Sequence, residues 1–332
     1  MTDARFYDRL PARTVSALAD GLQIGDNADQ LISSVAAAEQ AGPEDLCYVE
    51  RPGASPLASA PGCCITTPAH AHMVPNAAAL ILCDRPRATF ARLAAKLIAP
   101  KRHDGRANIH REAQLEDDVE LGPGAVIGQG VRIGKGSRIG ANAVIGPGVM
   151  IGRRTTIGAG AVIGFALIGD DVTILANAAI GEQGFGVAND AKGLIDVPHL
   201  GRVVIQDRVT IGACCTIDRG VFGDTVIGEE TKLDNLCHVG HQVQLGRGVQ
   251  IAAFGGISGS TVIGDGVLMG GRVGVGDHRT VGEGAVLAAG AAVLQDVPAG
   301  ETWGGYPARP MRRFLREVAW LSRKSGTRNG GG

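Results

Sequence analysis

Between Ile109 and Val293 an aliphatic residue returns at every sixth position, usually followed by glycine or another small residue. The series runs from Ile109, Leu115, Leu121 and Ile127 to Ile163 and slips by one at Ile168. It continues through Ile174 and Ile180, breaks, and resumes at Ile205, Ile211 and Ile217. A second series is unbroken from Ile227 to Val293. A period of six suits neither an amphipathic helix nor an alternating strand. It is the repeat of a parallel β-helix, in which three hexads close one triangular coil and residues eighteen apart stack. The pattern therefore predicts a mainly β fold with this prism over residues 105–300.

Residues 1–104 lack the repeat. Thr14 to Asp20 reads as a short helix stopped by Gly21. Leu46–Val49, Cys64–Thr66 and Ala79–Leu82 read as strands bounded by Pro and Gly. Ala88 to Ile98 places Phe90, Leu93, Ala94 and Leu97 on one helical face, closed by Pro100. This is a small α/β domain with a basic hinge from Lys101 to Gly105. At the other end, residues 301–332 read as an extension with an amphipathic helix over 309–323 and a glycine-rich tail. Two interruptions mark the prism. Glu182 to Arg202 is a loop too long to be idle in a compact repeat, and Arg219 to Thr225 is a shorter extrusion.

Composition sharpens this picture at a few points. The 51 glycines are roughly twice the ordinary share and serve the tight corners of the hexads. A net charge of −1 argues against general nucleic-acid binding. The seven cysteines have neither metal nor disulfide spacing, which points to reduced thiols and a cytoplasmic protein. Met1 to Arg5 opens no apolar signal segment, and no stretch is long enough to span a bilayer.

Histidines are the residues whose placement carries chemistry. His241 stands two positions past its aliphatic Val239, and His278 three past Val275, thirty-six residues on. Both fall near one edge, two coils and roughly 10 Å apart. Gly259 lies eighteen residues after His241, so its backbone is about 5 Å away. A base with a backbone N–H one layer away suits acyl transfer. From position alone, an ordinary surface histidine is an equal reading. His238 reads as structural, and His70, His72, His103, His110 and His199 carry no spacing argument. Asp234 reads equally as a turn residue and as a substrate contact.

The segments Thr210 to Gly220, Asp234-Asn235, Val239-Gly240-His241, Gly184-Phe185-Gly186, Ala188-Asn189-Asp190 and Leu200-Gly201-Arg202-Val203 resemble a known family. That family is the UDP-3-O-(3-hydroxyacyl)glucosamine N-acyltransferases of lipid A biosynthesis. Gly270-Gly271, His278, Ala78 to Ile81 and Thr89 to Arg92 extend the match over nearly the whole chain. The resemblance implies a homotrimer of left-handed β-helices with active sites between neighbouring prisms. It implies His241 as general base, the Gly259 amide as oxyanion donor and His278 as a second active-site histidine. Residues 1–104 become a uridine-binding domain in which Tyr48 packs against the uracil ring. Phe185 and Asp234 join it as substrate contacts, and Arg51, outside the family pattern, is read as a contact to a substrate phosphate. Four positions depart from the family pattern: Gln242 replaces Asn, Gln183 replaces Asp, and Arg51 and Ala54 replace the usual Asn and Tyr.

On this reading a 3-hydroxyacyl chain passes from acyl carrier protein to the 2-amino group of a UDP-3-O-acyl-glucosamine. No cofactor of the enzyme's own is implied, because phosphopantetheine arrives with the donor. Residues 301–332 carry seven basic residues against Glu301 and Glu317, so Arg312, Arg313 and Arg316 form a candidate docking patch for the acidic carrier. The bland alternative is a helix that only packs the trimer. Three rival functions stand beside the acyltransferase. The first is the same chemistry on another amino-sugar nucleotide or with acetyl-CoA. The second is a γ-carbonic-anhydrase-like zinc enzyme using His238, His241 and His278. The third is a non-catalytic trimeric scaffold.

Overall fold

The computed structural model describes residues 2–304, except 20, 52, 54 and 106, and a terminal helix at Met311–Ser325. The repeat builds a left-handed parallel β-helix whose three walls hold nine, ten and nine hydrogen-bonded strands, most of them two residues long. Register follows the hexad. Ile127 pairs with Ile145, and Ile251 with Met269, each eighteen residues on. The slip seen in the sequence is one short coil, in which Ile151 pairs with Ile168.

One inward aliphatic per wall fills the prism, and Ile127, Ile145, Ile163, Ile211, Ile217 and Val239 are fully buried. Burying such side chains contributes about 1.5–3 kcal/mol each. The first coil is an exception, with Ile109 and Leu115 exposed at the open end. At most corners the residue three past the aliphatic turns through the left-handed region, whether it is Gly124, Asn142, Gln242, Ser260 or His278.

The N-terminal domain is a five-stranded sheet ordered Gln23–Ile24, Leu80–Leu82, Cys63–Thr66, Asp45–Val49, Ser34–Val35. The first short helix is Val15–Ala19. The second spans Pro86–Ala94, not Ala88 to Ile98. Proline at its first turn lacks only an N–H that no helix uses there. Its end comes early because Lys96 and Leu97 bond back to Leu93 and Ala94 in a tight turn, and Ile98–Pro100 then pairs antiparallel with Tyr7–Arg9.

Domain and prism share one core. Phe6 and Tyr7 pack on Phe165 of the short coil, with ring centroids 5.7 and 5.2 Å away. The long interruption is not an open loop. It contains a β-hairpin, Val187–Asp190 against Gly193–Asp196, that lies on the second helix through an Arg92–Asp190 ion pair. All seven cysteines are free thiols. Among the described residues, no helix is long and apolar enough to cross a membrane.

Candidate active site

The hexad fixes the backbone of the site. Gly240 N–H donates to Ile257 O and Ser260 N–H to His241 O, which seats Gly259 one coil beyond His241. His278 N–H then donates to Gly259 O at 3.1 Å, completing a column His241–Gly259–His278. The His241 ring lies over Gly259. A Cβ there would stand 2.5 Å from Cε1 and 2.6 Å from Nε2 of His241, so only glycine admits the ring.

The residue two past each aliphatic has no backbone partner for its N–H. Pro123 and Pro147 occupy that slot without loss. In some other coils a side chain fills it, as when Asn235 Oδ1 takes Ala213 N–H or Asp265 Oδ1 takes Arg247 N–H, while in others, Ala141 and Ala159 among them, it stays open. Gly259 holds this slot, and among the described residues nothing accepts its N–H; Asp277, one coil on, makes no such bond. A free amide beside an imidazole is the geometry that stabilises a developing oxyanion.

A cavity of about 650 Å³ opens against this column. The N-terminal domain contributes Tyr48, Glu50, Arg51 and Arg87; the prism contributes His241, Gln242, Ser260 and His278. Between them stands Phe222 on the short extrusion. Phe90 links the two sides, with its ring 5.0 Å from Tyr48 and 5.6 Å from Phe222. The two interruptions are zipped together, Leu200 N–H to Val221 O and Gly201 N–H to Gly220 O. Thus Tyr48, Arg51, His241 and His278, up to 230 residues apart in the chain, line one space.

Two of the residues named from sequence lie elsewhere. Phe185 is 90% exposed and outside the cavity. Its flanking glycines carry the contact instead. A Cβ on Gly184 would meet Asp218, His199 and His241 within 3.2 Å, and one on Gly186 would meet His199 at 2.7 Å. Asp234 sits on a different corner, where its carboxylate accepts from Asn235 N–H and the Asn235 amide; it caps that turn and does not line this cavity. Of the docking arginines, Arg316 is exposed on the terminal helix, and the side chains of Arg312 and Arg313 lie outside the described residues, as does Ala54. His238 is engaged by Thr216 Oγ1 at 2.7 Å and by Asp218 at 3.7 Å. Among the described residues, no three His, Cys, Asp or Glu side chains gather to hold a metal.

The structure adds residues without a sequence signal. His199 lies buried with its ring 5.1 Å from that of His241. Arg219 is buried over the Phe165 ring and donates to His199 O and Gly181 O at 2.8 and 2.7 Å. Arg87 brings a guanidinium to the cavity wall. Burial first, then Arg87 and His278, lower the pKa of His241 below the ordinary imidazole value. A neutral imidazole near pH 7 is a competent proton acceptor.

Comparison with known proteins places the chain in a family. Residues 29–96 match the family model described as UDP-3-O-(3-hydroxymyristoyl) glucosamine N-acyltransferase, LpxD. Residues 130–165 match the bacterial transferase hexapeptide model, and 260–295 the hexapeptide repeat of succinyl-transferase. The UDP-3-O-acylglucosamine N-acyltransferase of Caulobacter sp. (strain K31) is 53% identical, covering 99% of this chain and 98% of its own. That of Methylobacterium sp. (strain 4-46) is 41% identical over 95% of this chain and 94% of its own. Among solved structures, the Arabidopsis UDP-N-acetylglucosamine acyltransferase shares the fold at TM-score 0.50 and 23% identity, over 63% of this chain and 76% of that one. With full-length identity at this level and a histidine column facing a cavity shared with the N-terminal domain, the chain belongs to the UDP-3-O-acylglucosamine N-acyltransferase family.

Proposed function

We propose that this enzyme transfers a 3-hydroxyacyl chain from acyl carrier protein to the 2-amino group of UDP-3-O-acyl-glucosamine in lipid A biosynthesis. The observation that carries the mechanism is the His241 ring lying on Gly259 at the wall of the cavity that Tyr48 also lines. Uracil stacks on the Tyr48 face, and the Arg51 and Arg87 guanidiniums lie along the diphosphate. That leaves the glucosamine amine toward His241. His241 Nε2 takes a proton from the amine as nitrogen attacks the thioester carbonyl. The new C–N bond forms, the carbonyl oxygen becomes an oxyanion held by Gly259 N–H, and collapse expels the carrier thiolate, which is then protonated. His278, exposed on the same column, steadies the developing charge.

The trimer fits an open site. A neighbouring prism would wall the histidine edge and supply the acyl-chain groove that one chain leaves exposed. Docking of the acidic carrier protein is assigned to the basic terminal helix, whose Arg316 is exposed. The reaction takes place in the cytoplasm, where acyl carrier protein is made. Mass spectrometry of products from 3-hydroxyacyl carrier protein, set against acyl- and acetyl-coenzyme A, tests the assignment. An N-acylated UDP-sugar from the carrier donor alone is expected; equal use of acetyl-coenzyme A would replace this reading with the acetyltransferase one.

A further inference from the structure

His241 presents Nε2 to Gly259, which leaves Nδ1 turned inward. That Nδ1 is buried and has no hydrogen-bond partner. The nearest ring is His199, carried by the long interruption; its centroid is 5.1 Å from that of His241 at an interplanar angle of 69°. His199 is 1% exposed, and its Nε2 is likewise buried and unpartnered. Two orphaned ring nitrogens on adjacent imidazoles are costly apart, because each has lost water without gaining a partner. A centroid separation of 5.1 Å is short enough for a ring rotation to bring the two nitrogens within hydrogen-bond reach.

Tautomers decide the direction of such a bond. His199 Nδ1 stands 3.0 Å from Val197 O, and a carbonyl can only accept, so the proton of neutral His199 is on Nδ1 and its Nε2 is an acceptor. The backbone holds this ring firmly, because His199 O accepts from Tyr7 Oη and Arg219 Nε at 3.0 and 2.8 Å. Gly184 runs beside the pair, where a Cβ would stand 3.0 Å from His199 Nε2 and 3.2 Å from His241 Cβ, so glycine keeps that approach clear.

We propose that His199 is the positioning residue of the base: its Nε2 accepts the Nδ1–H of His241 and thereby places the His241 lone pair on Nε2, facing the substrate amine. The bond closes by a small rotation of the His241 ring when substrate seats. A general base oriented by a third group is a recurrent arrangement, and losing the right tautomer disables an otherwise intact base. Burial, with the neighbouring His241 next, pushes the His199 pKa down to about 4, so it remains a neutral acceptor at working pH. The groups facing the pair are Arg87 from the second helix, Asp218 and Arg219 from the strand Thr216–Arg219, and His238 and His278 from neighbouring coils. The competing acceptor is the Gln242 side-chain amide, next to His241 in sequence.

This inference rests on His241 being the base, and the test separates the two. If His241→Ala retains turnover, the base assignment itself fails. With that variant inactive, His199→Phe keeps the ring volume and removes the acceptor, whereas His199→Gln keeps an acceptor. The expected result is a kcat about 10- to 10²-fold lower for His199→Phe, part of the 10²–10⁴ a positioned base contributes. KM for the UDP-sugar should be unchanged, and His199→Gln should recover most of the rate. Wild-type kcat in His199→Phe would overturn the proposal. So would an equal loss in both variants, or a loss that appears in Gln242→Leu instead. Nitrogen-15 spectra of histidine-labelled wild-type enzyme with bound UDP-sugar need no variant to fold. They should show His241 Nε2 as the unprotonated, pyridine-type nitrogen; a protonated Nε2 there would equally overturn it.

Discussion

The coils from Leu121 to Ile163 and those from Val239 to Val281 are built alike, yet only the second set carries the histidine column. Both bury an aliphatic at each wall, pair in an eighteen-residue register and turn through a left-handed residue at each corner. They differ in two corner slots. Where the first set has Pro123, Ala141, Pro147 and Ala159, the second has His241 and Gly259 two past the aliphatic, and His278 three past. The second set is also the one against which the N-terminal domain and the two interruptions are folded. A repeat thus separates its duties by position: the aliphatic slot makes the wall, and the corner slot is free to be altered without cost to the wall.

The widest separation between the two sets should come from His241→Ala. Turnover is expected to fall by about 10²–10⁴-fold with the melting temperature preserved, measured by product formation and thermal denaturation. Ala141→His, the same slot in a plain coil, should change neither; near-normal activity in His241→Ala would erase the distinction.

Acid sensitivity should reside at the site coils. The folded pKa of His199 is about 4 against an ordinary 6.5, so the unfolded chain takes up a proton that the folded chain refuses. Stability from the neutral ring is complete above about pH 6.5 and is lost as pH falls toward 4, by at most about 3 kcal/mol. Denaturant unfolding across that window should show the loss in the wild type and a flatter profile in His199→Gln. Parallel profiles would place the acid sensitivity elsewhere.

Glycines of the two kinds should fail in opposite ways. Gly259→Ala pushes against the movable His241 ring, so kcat should drop about 10²-fold, as for a misplacement near 1 Å, with stability retained. Gly270→Ala meets the Ala289 backbone at 2.5 Å and should instead cost about 1–3 kcal/mol of stability. Side-by-side kinetics and melts settle this; matching phenotypes would mean the corner slots are not independent of the wall.

The smallest effect is expected at the domain wall. Tyr48→Ala should weaken UDP-sugar binding by about 1–3 kcal/mol in calorimetry, the worth of a base stacked on an aromatic ring. Phe185→Ala should leave that affinity alone, since its ring is exposed and outside the cavity lining. The reverse pattern would move the uridine site to the long interruption.

Much of the prism was legible because its period is local. The hexad gives the inward residues, the register and therefore the His241–Gly259–His278 column, all by counting. Resemblance added Tyr48 and Arg51, which the cavity does bring to the histidines. Phe185 and Asp234 lie outside this cavity for different reasons. In Gly184-Phe185-Gly186 the large residue drew the eye, while the packing needs its small neighbours. Asp234 serves its own turn, which a motif does not distinguish from a substrate contact. His199, Arg87 and Arg219 were missed because nothing periodic relates them to His241.

The sequence by itself determined the coil, its stacking and the edge on which the histidines stand, since a six-residue repeat ties chain distance to spatial distance. Only the tertiary structure decided what faces that edge. The hairpin of residues 187–196, the Arg219–Thr225 extrusion and the N-terminal sheet reach the site by folding back across long chain separations. Their contacts are set by shape, burial and hydrogen bonds such as Leu200 to Val221 and Tyr7 to His199, which no period encodes.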